Sequence, residues 1–429
     1  MNSEERKIKI KEIEKGTAVA TGTLLKYQGK TREFSVYKIP LEFLVYNVDN
    51  GRISSVVKSY NREHGTLDSS KETDSNLIAK FLFDSNEDRN KKTMRDLAEN
   101  GQMEPGIITI DGTIVDGNRR ASLLRRIVTS SDYNQKTKDA CSYFLARILP
   151  EEADEKEILR LETSFQMGAD SKVDYNAIEK YLHTRDLHTK KFTLEQIADY
   201  MGFESPNVVS LNLDIMALID SYLDTYEYRG IYTRLPRGCE DDFLKLNTAI
   251  KKIQSGRIQW IPTDQLDEVE TDLRNISFDF IRLEEKGDFD FRALASTSNN
   301  NFLNDETTWR KFAKCYNEVI NENGGEEDLE TILSKAKNDE DANRLLNQRD
   351  KKWKESLHDK LMDIFNDCKN IIENKKEKGK PESLLKKAIN ALSEIDLMSV
   401  SKVPNKLVLT SKINELIMLA NNINNELTK

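Results

Sequence analysis

The pattern of apolar and polar positions along the chain changes character near Pro150. Before this residue, short apolar runs rich in β-branched and aromatic side chains alternate with glycine-containing turns, which predicts strands over 17–25 and 34–48. After it, apolar residues recur at helical intervals. The clearest series is Trp353, Leu357, Leu361 and Phe365. The pattern therefore predicts an α+β N-terminal domain followed by mostly α-helical domains.

Local signals divide the N-terminal region into short elements. The segment 58–90 is polar with a short apolar island, so we predict an insertion that contains one helix. Asp111-Gly112 lies between two short apolar runs, which predicts a β-hairpin. The remaining predicted elements are strands and turns over 7–57, helices over 91–100 and 119–128, and a strand over 141–149.

Changes in composition predict a chain of several domains. They are an α+β domain over 1–150, a helical domain with a helix-turn-helix over 151–235, a helical or mixed domain over 236–325, and a C-terminal helical interaction domain over 351–429. The acidic, polar stretch 321–350 is predicted to be a hinge. Aromatic residues mark the core of the third domain: Trp260, Phe278, Phe280, Phe289, Phe291, Phe302, Trp309 and Phe312.

Charge and cysteine content narrow the classes of function. The formal net charge is −9, but residues 1–150 hold 25 Lys and Arg against 21 Asp and Glu, so a polyanion would be attracted mainly to this region. The 4 cysteines show no CxxC spacing, which disfavours a disulfide scaffold or a zinc cluster. No run approaches the ~18 apolar residues of a membrane span. The first residues lack the apolar core of a secretory signal, so we expect a cytoplasmic protein without membrane contact.

The sharpest chemical signal is the sequence DGTIVDGNRRASLLRR, which begins at Asp111. A predicted strand leads through Gly117 into a helix whose first residues are Asn118, Arg119 and Arg120. A helix N-terminus attracts anions, and a glycine there lets a phosphate approach the backbone closely. Two arginines add guanidinium groups whose geometry matches phosphate oxygens. The sequence predicts a phosphate site, and the alternative is an ordinary strand-turn-helix with surface arginines.

Three sequence blocks follow the order of the N-terminal domain of the ParB/sulfiredoxin-like superfamily. IPLEFLVYNVDNGR, over 39–52, resembles the opening strand block of that family. DLAENGQMEPGII, over 96–108, resembles its helix–Gly–x–x–Gln/Glu–Pro block, and DGNRR, over 116–120, resembles its Gly-x-Arg-Arg phosphate motif. The resemblance extends roughly over 35–215. It implies a domain that binds a nucleoside triphosphate, CTP or ATP, together with Mg²⁺.

The resemblance also implies roles for individual residues. Glu104 stands where partition proteins often have glutamine, and its carboxylate is a candidate for proton transfer or magnesium binding. The residues implied to contact the nucleotide are Gly117, Asn118, Arg119 and Arg120 at the phosphates, with Gly101 and Glu104 beside them.

A further nucleotide block of the family, Glu-Asn-x-Gln-Arg, is matched only in part by ETSFQM over 162–167. Aligned on Gln166, Ser164 replaces the asparagine and Glu162 lies one residue early. The resemblance makes Gln166 a nucleotide contact. Together with Glu104, Glu162 is a candidate for binding the metal or activating water. Sulfiredoxin activity is not expected, because the 116–120 loop has no cysteine in or next to it.

Residues 193–213 fit a helix-turn-helix, which also follows the nucleotide domain in this family. Thr193 and Gln196 are predicted to form a capping box at the start of the first helix. Gly202 lies at the turn, and Pro206 takes the first position of the second helix. The module is therefore a candidate for DNA binding.

The second helix of this module supplies the candidate contacts. Val208 and Leu211 are predicted to face inward. No Lys or Arg occurs over 192–228, so the module itself offers no cation to the DNA phosphates. Both DNA binding and packing on a protein partner are compatible with this composition. The polar residues that could reach base edges or another protein are Asn207, Ser210 and Asn212.

The leading interpretation is a nucleotide-dependent switch that binds DNA or a partner protein in a plasmid, phage or defence context. One alternative is a magnesium-dependent nuclease or phosphotransferase of the same superfamily. Another is a non-catalytic adaptor. The amphipathic C-terminal helices are expected to mediate homo-oligomerisation or binding of a protein partner.

Overall fold

The computed structural model describes residues 1–151, 153–167, 176–283, 290–294, 301–377, 381–396, 400 and 406–427. The strands are β1 (Ala20–Tyr27), β2 (Lys30–Pro40), β3 (Gly106–Ile108), β4 (Ile114–Asp116) and β5 (Tyr143–Ile148). The helices up to β5 are α1 (Ser3–Glu14), α2 (Ser54–His64), α3 (Glu72–Asp84), α4 (Glu87–Asn100), α5 (Asn118–Thr129) and α6 (Gln135–Ala140). The helices after β5 are α7 (Glu155–Met167), α8 (Ala177–Thr189), α9 (Leu194–Met201), α10 (Pro206–Thr225), α11 (Glu240–Gln254), α12 (Leu266–Arg282), α13 (Phe291–Leu294), α14 (Glu306–Asn323), α15 (Leu329–Lys335), α16 (Asp339–Glu377), α17 (Pro381–Ser393) and α18 (Lys406–Leu427).

The chain divides into two compact units. The first comprises Met1–Ser298 with Asn323–His358, and the second comprises Asn299–Glu322 with Asp359–Lys429. The aromatic residues predicted to form one core are distributed over both units, and Phe289 lies outside the described residues. The four-domain division of the sequence stays a prediction.

One mixed sheet of five strands organises the N-terminal region, in the order β1-β2-β5-β3-β4. β3 pairs with β5 in parallel, and the other neighbours pair antiparallel. Successive side chains of β3 point to opposite faces of the sheet, and both faces are buried. Ile107 packs with Leu161 of α7 on one face, and Ile108 packs with Leu124 of α5 on the other. The N-terminal part is thus α+β and the described remainder is mostly helical, as predicted.

The first residues form helix α1, so the prediction of strands and turns from residue 7 onward is wrong at its start. A capping box begins this helix: the Asn2 side chain accepts from the Glu5 backbone N–H at 2.9 Å, and the Glu5 carboxylate accepts from the Asn2 N–H at 3.1 Å. Ile10 is its main buried apolar residue and joins the core of the sheet. The helical period is weak in the sequence because charged residues occupy most positions.

The prediction of one helix in the polar segment 58–90 is wrong, because the segment contains the end of α2, all of α3 and the beginning of α4. The apolar island becomes the buried side of α3 through Ile78 and Leu82. Asn90 of α4 is buried, and its side-chain amide donates to the carbonyls of Leu82 and Phe83 at 3.0 and 2.6 Å. These bonds satisfy the carboxyl end of α3, which is how a segment with few apolar residues still packs tightly.

The predicted hairpin at Asp111-Gly112 is confirmed by antiparallel pairing of β3 with β4. Gly112 has φ +87°, and a Cβ on it would lie 2.1 Å from the carbonyl oxygen of Phe43. Both the backbone conformation and the close contact therefore require glycine at this turn. The hairpin directs the chain from β4 into α5.

Helices α9 and α10 occupy the segment predicted as a helix-turn-helix. The capping box of Thr193 and Gln196 is confirmed, and Gly202 ends α9 in the left-handed region at φ +67°. The predicted inward face of α10 is wrong by one position, because Val209 is fully buried whereas Val208 and Leu211 are only partly so. The DNA-binding role of the pair stays a prediction.

The stretch 321–350, predicted to be a hinge, contains α15 and the beginning of α16. The Asp328 side chain caps α15 by accepting from the Thr331 backbone N–H at 2.8 Å. The acidic residues that suggested a loose segment thus include a helix cap.

The second unit has its own aromatic packing and two exposed helices. The ring of Phe302 lies 4.9 Å from that of Phe312 and 5.3 Å from that of Phe365. Neither α17 nor α18 has a buried residue. No helix within the described ranges is long and apolar enough to cross a membrane.

Candidate functional site

The centre of the candidate site is the turn at Gly117, which joins β4 to α5. Gly117 is the N-cap residue of α5 and has φ +105° and ψ +13°. A Cβ there would lie 2.5 Å from Cζ of Phe144. The same ring atom would lie 2.4 Å from a Cβ on Gly106, in the neighbouring strand. Two glycines and one aromatic ring therefore fix where the amino end of α5 begins.

Arg120 is held across the opening of this turn. One of its terminal nitrogens donates to the carbonyl of Glu104 at 2.6 Å, and the other donates to the carboxylate of Asp116 at 2.6 Å. Burial raises the pKa of Asp116, and the Arg120 guanidinium opposes that rise. The guanidinium is therefore positioned by residues on both sides of the β3–β4 hairpin.

Arg119 points toward α4 and donates from Nη2 to the hydroxyl of Thr93 at 2.9 Å. Thr93 in turn donates to the carbonyl of Arg89, one turn earlier, at 3.0 Å. The two adjacent arginines of α5 thus diverge, one toward the hairpin and one toward α4.

Asn118 is used by the fold itself. Its side-chain oxygen accepts from the backbone N–H of Asn47 at 2.9 Å, and its amide donates to the carbonyl of Ile114 at 3.0 Å. The side chain is buried. Any contact of Asn118 with a phosphate would therefore be made by its backbone N–H, at the amino end of α5, and not by its side-chain amide.

These residues surround a cavity of about 580 Å³. Its walls carry four arginines and two carboxylates, so their formal charge is positive. The volume is within the range of small-molecule sites, about 300–1,000 Å³. The lining residues are Asn50, Arg52, Arg89, Thr93, Glu104, Asp116, Gly117, Asn118, Arg119, Arg120, Ser164, Phe165 and Gln166.

Glu162 lies beside this cavity and is not among the residues that line it. It is buried, and its two carboxylate oxygens accept from the side-chain amides of Asn47 and Gln166 at 2.8 and 3.1 Å. Burial raises the pKa of Glu162 to about 8. The carboxyl group therefore binds a proton near neutral pH and connects the loop after β2 to α7.

Gly101 ends α4 with φ +75°, and its N–H donates to the carbonyl of Leu97 at 3.0 Å, so the predicted helix end is confirmed. It is not among the residues that line the cavity. Its proposed position beside a nucleotide stays a prediction.

Two lining residues on α4, Arg89 and Thr93, were not among the residues singled out from the sequence. The predicted helix began at residue 91, which excluded Arg89 from it. The sequence signal for an earlier helix start is Asn86, a favourable N-cap residue. Its side chain accepts from the Arg89 backbone N–H at 3.2 Å. With that start, the one-turn spacing of Arg89 and Thr93 places them on one face of α4.

A second cavity of about 470 Å³ lies next to the first and shares Arg52 and Arg119 with it. Its far wall includes Ser55 of α2 and Glu179 of α8. The Glu179 carboxylate accepts from both the backbone N–H and the hydroxyl of Ser55, at 3.1 and 2.5 Å. Burial raises the pKa of Glu179 to about 7. This carboxylate satisfies the amino end of α2, which has no side-chain cap of its own.

The candidate DNA contacts on α10 are not equivalent. Asn212 is buried and its amide donates to the hydroxyl of Thr184 at 3.4 Å, so its prediction as a base-reading residue is wrong. Asn207 is exposed. Ser210 is half-buried and its hydroxyl donates to the carbonyl of Pro206 at 3.5 Å. Of the three candidates, Asn207 thus presents its polar group most fully at the surface, in the first turn of α10.

No cluster of three or more His, Cys, Asp or Glu side chains suited to a metal ion occurs within the described part of the chain. Mg²⁺ is commonly bound by one or two carboxylates together with phosphate oxygens and water. Asp116 and Glu104, both in the cavity wall, fit that smaller requirement.

A comparison with solved structures finds a similarity over part of the chain. The chain is similar to the C-terminally truncated chromosome-partitioning protein ParB from Caulobacter crescentus complexed with CTP-gamma-S, at 18% sequence identity and a TM-score of 0.18. The match covers 50% of this chain and 92% of that chain. No protein-family model and no curated protein sequence matches the chain.

Proposed function

We propose that the chain binds a nucleoside triphosphate, CTP or ATP, in the cavity at the amino end of α5. The observation that carries this proposal is the combination of an αL glycine at the helix start with four arginines around one concave site. Backbone N–H groups at a helix start and guanidinium groups are both strong donors to phosphate oxygens. The Gly-x-Arg-Arg resemblance of 116–120 supports the same assignment.

In this proposal Arg119 and Arg120 contact the phosphates from two directions, since their side chains diverge toward α4 and the hairpin. Glu104 and Asp116 would hold Mg²⁺, which would offset the charge of the phosphates. Gln166, in the cavity wall, is a candidate contact to the nucleotide. Glu162 orients Gln166 through its hydrogen bond and is a candidate proton reservoir rather than a group in direct contact.

The test is equilibrium binding of labelled CTP and ATP with Mg²⁺. We expect the wild type to bind one of them and Arg119→Ala/Arg120→Ala to bind about tenfold or more weakly, because charge-assisted contacts are lost. Arg95→Ala is the matched control, since Arg95 is an exposed arginine of α4 outside the cavity wall and should leave binding unchanged. Arg89→Gln is a second test that leaves the bonds of Arg120 in place. Failure of the wild type to bind either nucleotide would remove the proposal.

Removal of the metal separates binding from hydrolysis. With EDTA present we expect weaker binding, since the charge of the phosphates is then offset by arginines alone. If the protein hydrolyses the nucleotide, Glu104→Gln should lower the rate of hydrolysis more than it lowers the affinity for the nucleotide. Unchanged hydrolysis in that variant would exclude Glu104 as the catalytic carboxylate.

The nucleotide state would then control binding of DNA or a protein partner. The exposed residue Asn207 and the first turn of α10 are the candidate surface. A labelled duplex, tested with and without nucleotide, distinguishes the two partners: salt-sensitive binding favours DNA, and no binding favours a protein. The alternative of a magnesium-dependent nuclease predicts nicking of a plasmid under the same conditions.

The C-terminal helix α18 supports self-association. Its apolar residues follow intervals of three and four, the period of a coiled coil: Leu409, Ile413, Leu416, Ala420, Ile423 and Leu427. None of them is buried, and most of the stability of a helix in a protein comes from the packing of its apolar face. The helix carries two lysines and two glutamates, so a second copy would meet no net repulsion. A second copy of this chain is therefore the proposed occupant of this surface.

A further inference from the structure

A third cavity, also basic, lies in the first unit, and none of its lining residues belongs to the sheet. Its volume is about 540 Å³. One wall is the turn 232–237 that follows α10, and the opposite wall is the face of α16 around residues 347–354. Cationic side chains in its lining outnumber carboxylates five to one: Arg234, Arg237, Arg282, Lys351 and Lys354 against Asp350.

Arg234 is oriented by neutral groups. Its two terminal nitrogens donate to the side-chain carbonyls of Asn347 and Asn343 at 2.6 and 2.7 Å. Its guanidinium also lies 5.4 Å from the centre of the Tyr228 ring. Amide partners fix the position of the guanidinium without neutralising it, so Arg234 keeps its full positive charge in the cavity wall.

The carboxylate that lines this cavity already has hydrogen-bond partners within the protein. Asp350 accepts from Arg282 at 2.7 Å and from the Tyr228 hydroxyl at 3.0 Å. Arg282 is buried and also pairs with Glu326 at 2.7 Å. These charges form a closed network beneath the cavity, since each carboxylate has a hydrogen-bonded cation.

The remaining cations differ in how they are partnered. Lys351 lies 3.5 Å from the exposed carboxylate of Glu355. Within the described ranges, no carboxylate lies at salt-bridge distance from Arg234, Arg237 or Lys354. Three cations that converge on one concave site without acidic partners repel one another, and an anion between them would remove that repulsion.

We propose that this cavity binds a compact, multiply charged phosphate ligand of the polyphosphate or phosphorylated-metabolite class. The concave shape, with walls on two elements that face each other, favours a small ligand over the extended backbone of a duplex. Arg234 supplies an oriented guanidinium, and Arg237 and Lys354 supply charge from the two walls. The site is separate from the cavity at α5 and does not depend on the function proposed for that cavity.

The test is calorimetric titration of the full chain with inorganic tripolyphosphate at constant ionic strength. We expect Arg237→Gln/Lys354→Gln to lose one binding event, or to weaken it about tenfold or more, relative to the wild type. These two residues are chosen because replacing them leaves in place the contacts that hold Arg234 and Arg282. Arg229→Gln is the matched control, because Arg229 is a highly exposed arginine of the same region, 3.5 Å from Asp224, and lies outside the cavity.

One further variant separates this site from the one at α5. Arg119→Gln/Arg120→Gln should leave the event lost in Arg237→Gln/Lys354→Gln intact, even if the α5 cavity binds nothing. Equal tripolyphosphate binding by the wild type and Arg237→Gln/Lys354→Gln would overturn the proposal. It would also be overturned if that variant lost affinity for a labelled DNA duplex while tripolyphosphate binding was unchanged, which would make the surface a nucleic-acid contact.

Discussion

Replacement of Gly117 by alanine tests the geometry of the β4–α5 turn directly. At φ +105° a residue with a Cβ carries a backbone cost of about 1–2 kcal/mol. The new Cβ would also lie 2.5 Å from Cζ of Phe144, which is buried and cannot move freely, and overpacking of this kind costs about 1–3 kcal/mol. We therefore expect Gly117→Ala to destabilise the N-terminal region by about 2–5 kcal/mol.

Hydrogen exchange measured by mass spectrometry reports the local free energy of opening, on peptides that cover β4 and the start of α5 for Gly117→Ala and on peptides that cover the β1–β2 turn for its control. The matched control is Gly29→Ala, because Gly29 has φ +73° but no atom within 4 Å of its Cβ position. This control carries the backbone cost alone. Without nucleotide in the sample, the comparison is independent of any ligand.

A double-mutant cycle with Phe144→Leu separates the two costs. Leucine lacks the ring atom that the new Cβ would meet, so Gly117→Ala should cost about 1–3 kcal/mol less in the Phe144→Leu protein than in the wild type. Strict additivity of the two substitutions, or a Gly117→Ala cost equal to that of Gly29→Ala, would refute the close contact as the reason for glycine.

Two other predictions concern Glu162 and α18. Burial raises the folded-state pKa of Glu162 to about 8 from its usual value of 4.5. The protonated carboxyl group therefore stabilises the fold fully below pH 4.5, and this contribution is lost as the pH rises toward 8. Glu162→Gln should reduce the fall in stability over this window by on the order of a few kcal/mol in urea titrations, and an unchanged slope of stability against pH would contradict the assignment. If α18 pairs with a second copy, Leu416→Lys/Ile423→Lys should shift sedimentation toward the monomer, whereas Lys412→Gln should not, and a monomeric wild type would exclude the pairing.

The turn at Gly117 and the arginines of α5 could be predicted from the sequence because the signals are local. Asp-Gly marks a hairpin, and a glycine before a helix marks its start. The role of Asn118 could not be predicted, since its amide is paired with the backbone of Asn47, 71 positions away. Nothing in the adjacent residues indicates such a long-range bond.

Errors elsewhere have different physical reasons. Helix α1 was missed because capping and a single buried residue, Ile10, stabilise it without a clear apolar stripe. The inward face of α10 was placed one residue early because Val208 and Val209 are equally apolar, and only packing against the neighbouring helices selects Val209. The burial of Asn212 could not be predicted from its neighbours in the sequence, because its hydrogen-bond partner, Thr184, belongs to a different helix.

Arg52 and Arg119 form a wall that the two N-terminal cavities have in common. The second cavity borders α2 and α8, where Ser55 and Glu179 join those helices. An anion bound in the first cavity would attract both guanidinium groups, and would therefore change the electrostatic field at the place where α2 and α8 are hydrogen-bonded to each other.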